Sequence, residues 1–238
     1  MSNVSEWYDD YTNYQVKMGI NDRNLKIQNW LVKFGLKPNH HVLEIGCGIG
    51  TQTKLLADFL DSNNQITAVD ISPKSIEIAQ KIWKDYKGIE WIAADFVDYK
   101  INKKFDAVLL PDVIEHIPVE QHKKLFANIS SVLKKDGFIL IHIPQPYYQE
   151  WCFKNKPEAL QVIDQAIYTD QLAQNVYPNK LFISHLETYS IWKQHGDYQV
   201  IVLKPYRTDL SYDELPPTLA KKVKGKTKQL MKKIGLRK

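Results

Sequence analysis

The sequence predicts an α/β protein, with a doubly wound and mostly parallel sheet covered by helices. Short apolar runs alternate with longer segments whose apolar residues recur at helical spacing, a pattern typical of βαβ units. The first run enters a glycine-rich stretch and the second ends at Asp70. Such sheets bind nucleotide-containing ligands at the turn after the first strand. The predicted strands are 42–46, 66–70, 89–93, 105–110 and 137–143, and the helices between them are 51–61, 73–86 and 119–134.

Further elements are indicated by capping and turn residues. Asn21-Asp22 precedes a helical repeat of apolar residues, and Ser72-Pro73 has the order expected of an N-cap and a first helical residue. A helix near 170–177 has Thr169 or Asp170 as its expected N-cap. The chain from 181 to 203 then predicts a β-hairpin around a polar turn at 193–197.

The glycine turn and Asp70 indicate which ligand is bound. Gly46, Gly48 and Gly50 can adopt positive φ and allow close approach, because glycine has no Cβ. At the next strand end, the Asp70 carboxylate can accept hydrogen bonds from ribose hydroxyls. The third glycine comes one residue earlier than in the dinucleotide fingerprint, and Glu44 would repel a pyrophosphate but attract an ammonium. S-Adenosylmethionine (SAM) carries an ammonium, a ribose and an adenine, and no phosphate.

The order of the motifs resembles that of the class I SAM-dependent methyltransferases. VLEIGCGIG (42–50) resembles their glycine turn, and WIAADF (91–96) resembles the end of their third strand. FDAVLLPDVIEHI (105–117) and LFANISSVLKKDGFILIHIP (125–144) are similar to the fourth strand with its loop and to the next helix and strand. The resemblance covers residues 22–204. It implies SAM as the cofactor and a Rossmann-like seven-stranded sheet with a closing antiparallel β-hairpin.

The resemblance also implies the cofactor-binding residues. In the family, the acidic residue that here is Asp95 binds the adenine amino group. Asn21-Asp22-Arg23 is similar to the N-P-x-R motif of ubiquinone-biosynthesis O-methyltransferases, whose arginine reaches the cofactor carboxylate, with Asp22 in place of the proline. The expected cofactor-binding residues are Arg23, Glu44, Gly46, Cys47, Gly48, Gly50, Asp70, Ile71, Asp95, Phe96 and Pro111.

Candidate catalytic residues cluster where the family places its acceptor, beyond the fourth and fifth strands. His116 lies one turn past the strand-four loop, and histidine is a common general base at neutral pH. A structural role beneath the loop remains the alternative for His116, and it is favoured for His142, which lies in a strand. The candidates are Asp112, Glu115, His116, His142 and Tyr147, of which His116, Asp112 and Tyr147 are assigned as catalytic.

The sequence from Asp112 to His116 also suggests a metal site. Asp112, Glu115 and His116 stand at i, i+3 and i+4, so on a helical turn they would share one face. Two carboxylates and an imidazole can hold a divalent cation such as Mg²⁺ against an ionised hydroxyl. The ubiquinone-biosynthesis O-methyltransferases have a similar E-x-x-E-H sequence, in which Glu stands where this chain has Asp112. No metal is assigned, because D-x-x-E-H is common throughout the superfamily.

Aromatic residues mark the segments that are expected to bind the acceptor. Residues 145–168 form an insertion with Tyr147, Tyr148 and Trp151 among its aromatic side chains. Aromatic side chains of this kind can form one wall of a pocket for a sugar ring or a small planar acceptor. The alternative is that they pack against one another as an additional hydrophobic core. An N-terminal aromatic cluster is expected to cover the cofactor as a lid; it consists of Trp7, Tyr8, Tyr11 and Tyr14.

The charge distribution limits which partners the chain can be expected to bind. Residues 219–238 hold nine Lys or Arg and no acid, so the net charge of +5 leaves −4 on the first 218 residues. That balance argues against nucleic-acid binding by residues 1–205, the predicted methyltransferase domain. Within the linker and tail at 206–238, the basic amphipathic segment suits an anionic membrane, with a solubilising tail or an RNA contact as alternatives.

The chain has no signal-peptide pattern at its N-terminus, no apolar run as long as a membrane span, and two well-separated cysteines. We therefore expect a cytoplasmic protein, peripheral at the inner face of the membrane if the tail docks there. The favoured function is methyl transfer to a small-molecule hydroxyl of a saccharide or an isoprenoid or phenolic intermediate. An RNA or protein methyltransferase recruited by the tail is the alternative, although LPDV (110–113) lacks an N-P-P-Y-type tetrad. A regulatory protein without catalysis also remains open, and no oligomeric state is assigned.

Overall fold

The computed structural model describes residues 18–61 and 66–209. Its elements, in chain order, are α1 (Asp22–Lys33), β1 (Val42–Ile45), α2 (Thr51–Phe59), β2 (Ile66–Asp70), α3 (Pro73–Ile82), β3 (Ile89–Ala93), β4 (Phe105–Pro111), a 3₁₀ turn (Ile114–His116), α4 (Val119–Val132), β5 (Leu133–Pro144), α5 (Pro146–Asn155), a 3₁₀ turn (Pro157–Ala159), α6 (Thr169–Val176), a 3₁₀ turn (Tyr177–Asn179), β6 (Leu181–Tyr189) and β7 (Tyr198–Pro205). The N-terminal aromatic cluster and the basic segment 219–238 lie outside the described residues.

The seven strands form one sheet in the order β3-β2-β1-β4-β5-β7-β6. The first five pair in parallel, whereas β7 runs antiparallel to both β5 and β6. This topology confirms the predicted doubly wound, Rossmann-like sheet with a closing antiparallel hairpin. The strand order reverses between β1 and β4, and a crevice for ligands opens at the carboxyl ends of the strands at such a point.

Alternate residues of the buried strands supply a hydrophobic core on each face of the sheet. Leu43 of β1 belongs to the cluster that includes α4 and α6, whereas its neighbour Val42 belongs to the cluster that includes α1, α2 and α3. All four residues of β1 are buried, including the acidic Glu44. Within the described ranges, none of the helices has both the length and the hydropathy of a membrane span.

The predicted caps at the site are confirmed. The Asn21 side chain accepts a hydrogen bond from the Arg23 amide at 3.0 Å, which fixes the start of α1 next to Arg23. The Ser72 hydroxyl accepts one from the Ser75 amide at 3.0 Å and begins α3 directly after Asp70. Satisfied N-terminal amides of this kind stabilise a helix start.

Other predicted boundaries were wrong. α3 ends at Ile82, four residues earlier than expected, and the N-cap of α6 is Tyr168, so neither Thr169 nor Asp170 caps that helix. β5 begins at Leu133, four residues before the predicted strand start at 137, and its pairing with β4 shifts register in this added part. Gly137 permits this, since a Cβ at that position would lie 2.9 Å from the Asp106 carbonyl oxygen.

Candidate functional site

The turn after β1 has a shape that only glycine allows at two of its positions. Gly46 and Gly50 have φ of 75° and 81°, in the left-handed region. A Cβ at Gly46 would lie 2.4 Å from a methyl carbon of Val113, and one at Gly50 would lie 2.5 Å from the Trp91 ring. The turn therefore packs directly against its neighbours and leaves its backbone uncovered by side chains of its own.

Asp70, at the end of β2, holds the glycine turn in place. One carboxylate oxygen accepts a hydrogen bond from the Gly48 amide at 2.7 Å, and the other accepts one from the Ser72 amide at 2.9 Å. The amide of Gly46 also donates to the Val69 carbonyl, at 2.8 Å. A carboxylate offers about four lone-pair sites, so Asp70 retains the capacity to accept hydrogen bonds from a ligand.

Glu44 lies beneath the turn and carries an unused acceptor. Its Oε2 accepts a hydrogen bond from the Thr53 hydroxyl at 2.6 Å, whereas Oε1 has no hydrogen-bond partner within the described part of the chain. Burial raises the pKa of the Glu44 carboxyl to about 8, and the nearby Asp70 charge adds to the rise. A buried acceptor without a donor fits the ammonium of a cofactor.

The remaining cofactor candidates surround this turn. Cys47 is buried, and burial raises the pKa of its thiol well above the ordinary value, so it acts as a small packing residue. The half-buried Asp95 caps the turn after β3 by accepting a hydrogen bond from the Val97 amide at 2.9 Å. The Phe96 ring lies in the hydrophobic core, which leaves its main chain as the part that a cofactor can contact. Pro111 ends β4, and Ile71 follows Asp70.

Arg23 and Asp112, assigned to different roles from the sequence, form an ion pair at the end of β4. Asp112 has φ of 54°, a conformation rarely adopted by residues other than glycine. Its carboxylate lies 3.1 Å from Nδ1 of His142, and Nε2 of His142 lies 2.6 Å from the Tyr189 hydroxyl. The strained position of Asp112 is therefore held by partners from two other elements.

The proton positions in this network follow from burial. His142 is fully buried, and desolvation lowers its pKa well below the ordinary value, so the imidazole is neutral. A neutral imidazole has one N–H and one acceptor nitrogen. Since Asp112 can only accept, Nδ1–H donates to Asp112 and Nε2 accepts from the Tyr189 hydroxyl. His142 thus orients Asp112, in agreement with the structural role favoured from the sequence.

His116 contacts the aromatic insertion. Its Nδ1 lies 2.7 Å from the Ile163 carbonyl oxygen and 3.3 Å from the Asp164 carboxylate. Gln165 adds hydrogen bonds to the same turn, from its amide to the Glu115 carbonyl at 3.0 Å and from its side chain to the Ile117 carbonyl at 2.8 Å. The insertion is therefore anchored on the turn that carries His116.

Tyr147, assigned as catalytic from the sequence, is not brought into this group. It is 68% exposed near the start of α5, and its ring contacts Tyr168 with the centroids 5.9 Å apart. The first turn of α5 buries Pro146 and Gln149 instead, which directs the neighbouring Tyr147 outward.

The metal triad that the sequence suggested as an alternative is also not assembled. Asp112 precedes the short 3₁₀ turn at Ile114–His116 and faces Arg23 and His142, whereas His116 faces the insertion. The expected common helical face does not exist, because Asp112 is not helical. Across residues 18–61 and 66–209, no group of three or more His, Cys, Asp or Glu side chains is placed to hold a metal ion. The Mg²⁺ alternative is not supported.

Sequence reasoning missed several residues of the site. Tyr198, at the start of β7, stacks on His142 with ring centroids 4.6 Å apart, and Tyr189 completes the network around His142. Asp164 joins His116 to the insertion. These residues carry no local motif, and only the antiparallel return of β6 and β7 and the fold of the insertion bring them to the strand ends.

Comparison with known proteins agrees with this architecture. Residues 42–137 match a family described as a methyltransferase domain. Similar curated proteins include phosphoethanolamine N-methyltransferase 2 of Caenorhabditis elegans, 31% identical over 63% of this chain and 37% of that protein. Another is malonyl-[acyl-carrier protein] O-methyltransferase 1 of Ilyobacter polytropus, 29% identical over 58% of this chain and 48% of that protein. The matches thus span about half or less of these relatives.

The fold has solved counterparts. The crystal structure of N-methyltransferase NodS from Bradyrhizobium japonicum in complex with S-adenosyl-L-homocysteine (SAH) has a TM-score of 0.62 and 17% sequence identity to this chain, and the match covers 79% of this chain and 90% of that one. Residues 42–137 therefore match a methyltransferase domain, and the sheet topology is that of the class I SAM-dependent methyltransferase fold.

The network around His142 predicts the effect of removing one hydroxyl. Tyr189→Phe leaves Nε2 of the buried His142 without a donor, which we expect to lower the free energy of unfolding by about 1–3 kcal/mol. Chemical denaturation of both proteins measures the change. Tyr177→Phe, at an exposed tyrosine, is the matched control and should change stability little. An equal loss of stability in the two variants would contradict the hydrogen bond between Tyr189 and His142.

Proposed function

We propose that this methyltransferase transfers the methyl group of SAM to a hydroxyl of a small molecule, a saccharide or an isoprenoid or phenolic compound. The supporting observation is the anchoring of the aromatic insertion on the turn that carries His116. Tyr148 and Trp151 of this insertion have nearly parallel rings, with centroids 6.1 Å apart, and offer flat apolar surface for a ring-shaped acceptor.

The proposed cofactor residues are those around the glycine turn. Glu44 would bind the cofactor ammonium through its unpartnered oxygen, and Asp70 would accept hydrogen bonds from the ribose hydroxyls. Arg23 has five N–H donors, so it can keep Asp112 and also bind the cofactor carboxylate. When bound, SAM supplies the electrophilic methyl group. The other proposed contacts are Gly46, Cys47, Gly48, Gly50, Ile71, Asp95, Phe96 and Pro111.

The proposed role of His116 is to take the proton of the acceptor hydroxyl. With Nδ1–H donating to the Ile163 carbonyl, the tautomer is fixed and Nε2 is the nitrogen that accepts a proton. The insertion, held on the same turn, positions the acceptor and excludes water. Asp112 would act as a positioning residue that orients Arg23, since its carboxylate is already engaged by Arg23 and His142.

The first prediction from this function concerns the cofactor. Asp70→Ala removes the proposed ribose acceptor, so the affinity for SAM measured by calorimetry should fall at least about tenfold, since a charge-assisted hydrogen bond contributes roughly 1.5–3 kcal/mol. Asp98→Ala is the control, because Asp98 follows the same edge of the sheet but forms an exposed ion pair with Lys124. Unchanged affinity in Asp70→Ala would argue against the cofactor assignment.

The second prediction concerns the acceptor. His116→Ala should slow methyl transfer at least about 100-fold, with SAM affinity nearly intact, because a general base acts only on the acceptor proton. The assay uses methyl-labelled SAM with fractionated small-molecule pools. His40→Ala, outside the site, serves as control. A variant with normal specific activity but a lower melting temperature would make His116 structural.

We also propose that residues 1–205 form the catalytic domain and that the basic segment 219–238 brings it to anionic membranes. Each Lys or Arg near such a surface contributes about 1 kcal/mol, and salt screens the attraction. Full-length protein should therefore sediment with phosphatidylglycerol vesicles at low salt and be released at high salt. A protein ending at Pro217 should remain in solution. Retention of the full-length form by RNA, and not by vesicles, would favour the macromolecular alternative.

A further inference from the structure

Glu115 is a buried carboxylate that the proposed mechanism does not use. It is 2% exposed, in the 3₁₀ turn between Asp112 and His116. Neither of its carboxylate oxygens has a hydrogen-bond partner within the described part of the chain. Its own backbone amide lies close enough to favour the charged form, but outside hydrogen-bonding geometry. A buried polar group in this state requires an explanation, because its desolvation is not compensated.

The groups around Glu115 belong to the two sides of the site. His116 Nε2 lies 3.9 Å from its Oε1, and Asp164 of the insertion interacts electrostatically with it. Arg23 of α1 and Tyr198 of β7 are also close enough to interact with its charge. Glu115 therefore lies between the proposed base, the insertion and the arginine assigned to the cofactor.

The charge balance favours an uncharged ligand group at this point. Arg23 is shared between Asp112 and the proposed cofactor carboxylate, so it leaves no positive charge for an anionic acceptor. Asp164 accepts hydrogen bonds from Gln149 and from the Gln161 amide. Desolvation raises the pKa of the Glu115 carboxyl to about 7, so a second anion beside it would be repelled or would force protonation. A hydroxyl, by contrast, can donate to the carboxylate without adding charge.

We propose that Glu115 is a specificity-determining residue that accepts a hydrogen bond from a neutral hydroxyl of the acceptor and excludes carboxylate and phosphate groups. The inference rests on the proposed function and narrows its substrate class to alcohols and phenols. The single proton of the acceptor hydroxyl then lies on the Glu115 side. As the methyl group is transferred, this proton moves to the Glu115 carboxylate and from there to Nε2 of His116, which lies 3.9 Å from Oε1.

The test compares wild type, Glu115→Gln and the exposed control Glu120→Gln as full-length proteins. The Glu115→Gln substitution keeps the shape of the side chain but removes the charge. We expect SAM affinity to be unchanged and methyl transfer to the labelled small-molecule fraction to fall at least about tenfold. The wild-type product should keep its label in mild alkali, because an ether is stable there, whereas the methyl ester of a carboxylate releases its label.

Stability supplies a readout that a structural role would not give. The pKa of Glu115 is raised on folding, so the wild type loses stability as the pH rises from about 4.5 to 7, because the unfolded state releases its proton first. Glu115→Gln should therefore unfold at the same or a higher temperature than wild type at pH 8, and the difference should shrink at pH 5. A functional group buried at a cost to stability behaves in this way.

Each other outcome is decisive. Equal methyl transfer by wild type and Glu115→Gln, an alkali-labile wild-type product, weakened SAM binding in Glu115→Gln, or a variant that is less stable or does not fold would overturn the role of Glu115. Labelling of RNA or protein alone by the wild type would instead contradict the proposed function, and the two failures are thus distinguishable.

Discussion

The hydrogen bonds from the glycine turn to the end of β2 are the constraint on which the site depends. The Asp70 carboxylate accepts from the Gly48 amide, and the Val69 carbonyl accepts from Gly46. These bonds close the left-handed turn against the sheet and direct the start of α2 away from it. The carboxylate of Asp70 thus serves the fold, and it is also the group proposed to bind the ribose.

Four carboxylates of the site differ in how many hydrogen-bond or ion-pair partners the protein gives them, and this difference separates their roles. Asp112 is fully engaged by Arg23 and His142, and Asp70 is engaged by backbone amides. Glu115 lacks hydrogen-bond partners, and Glu44 keeps one unpartnered oxygen, within the described residues. Buried acceptors without donors cost stability, so we expect a bound ligand to supply the missing donors to Glu44 and Glu115.

Much of the fold could be predicted from the sequence, because its signals are local. Alternation of apolar runs with helical repeats indicated the parallel strands, and Asn21 and Ser72 indicated two helix starts with their caps. The contacts around His142 could not be predicted in this way, since its partner Tyr189 is 47 residues away and reaches it only through the antiparallel hairpin. The alternative metal triad is not formed because i, i+3, i+4 spacing places side chains on one face only in a helix, whereas Asp112 has a positive φ.

The most direct test of this account is a crystal structure of the full-length protein with SAH. We expect the ribose hydroxyls to donate to Asp70, the ammonium to approach the unpartnered oxygen of Glu44, and the Glu115 carboxylate to remain uncovered by the cofactor. SAH bound away from the glycine turn, or an SAH ammonium bound to Glu115, would contradict the division of the site into a cofactor side and an acceptor side.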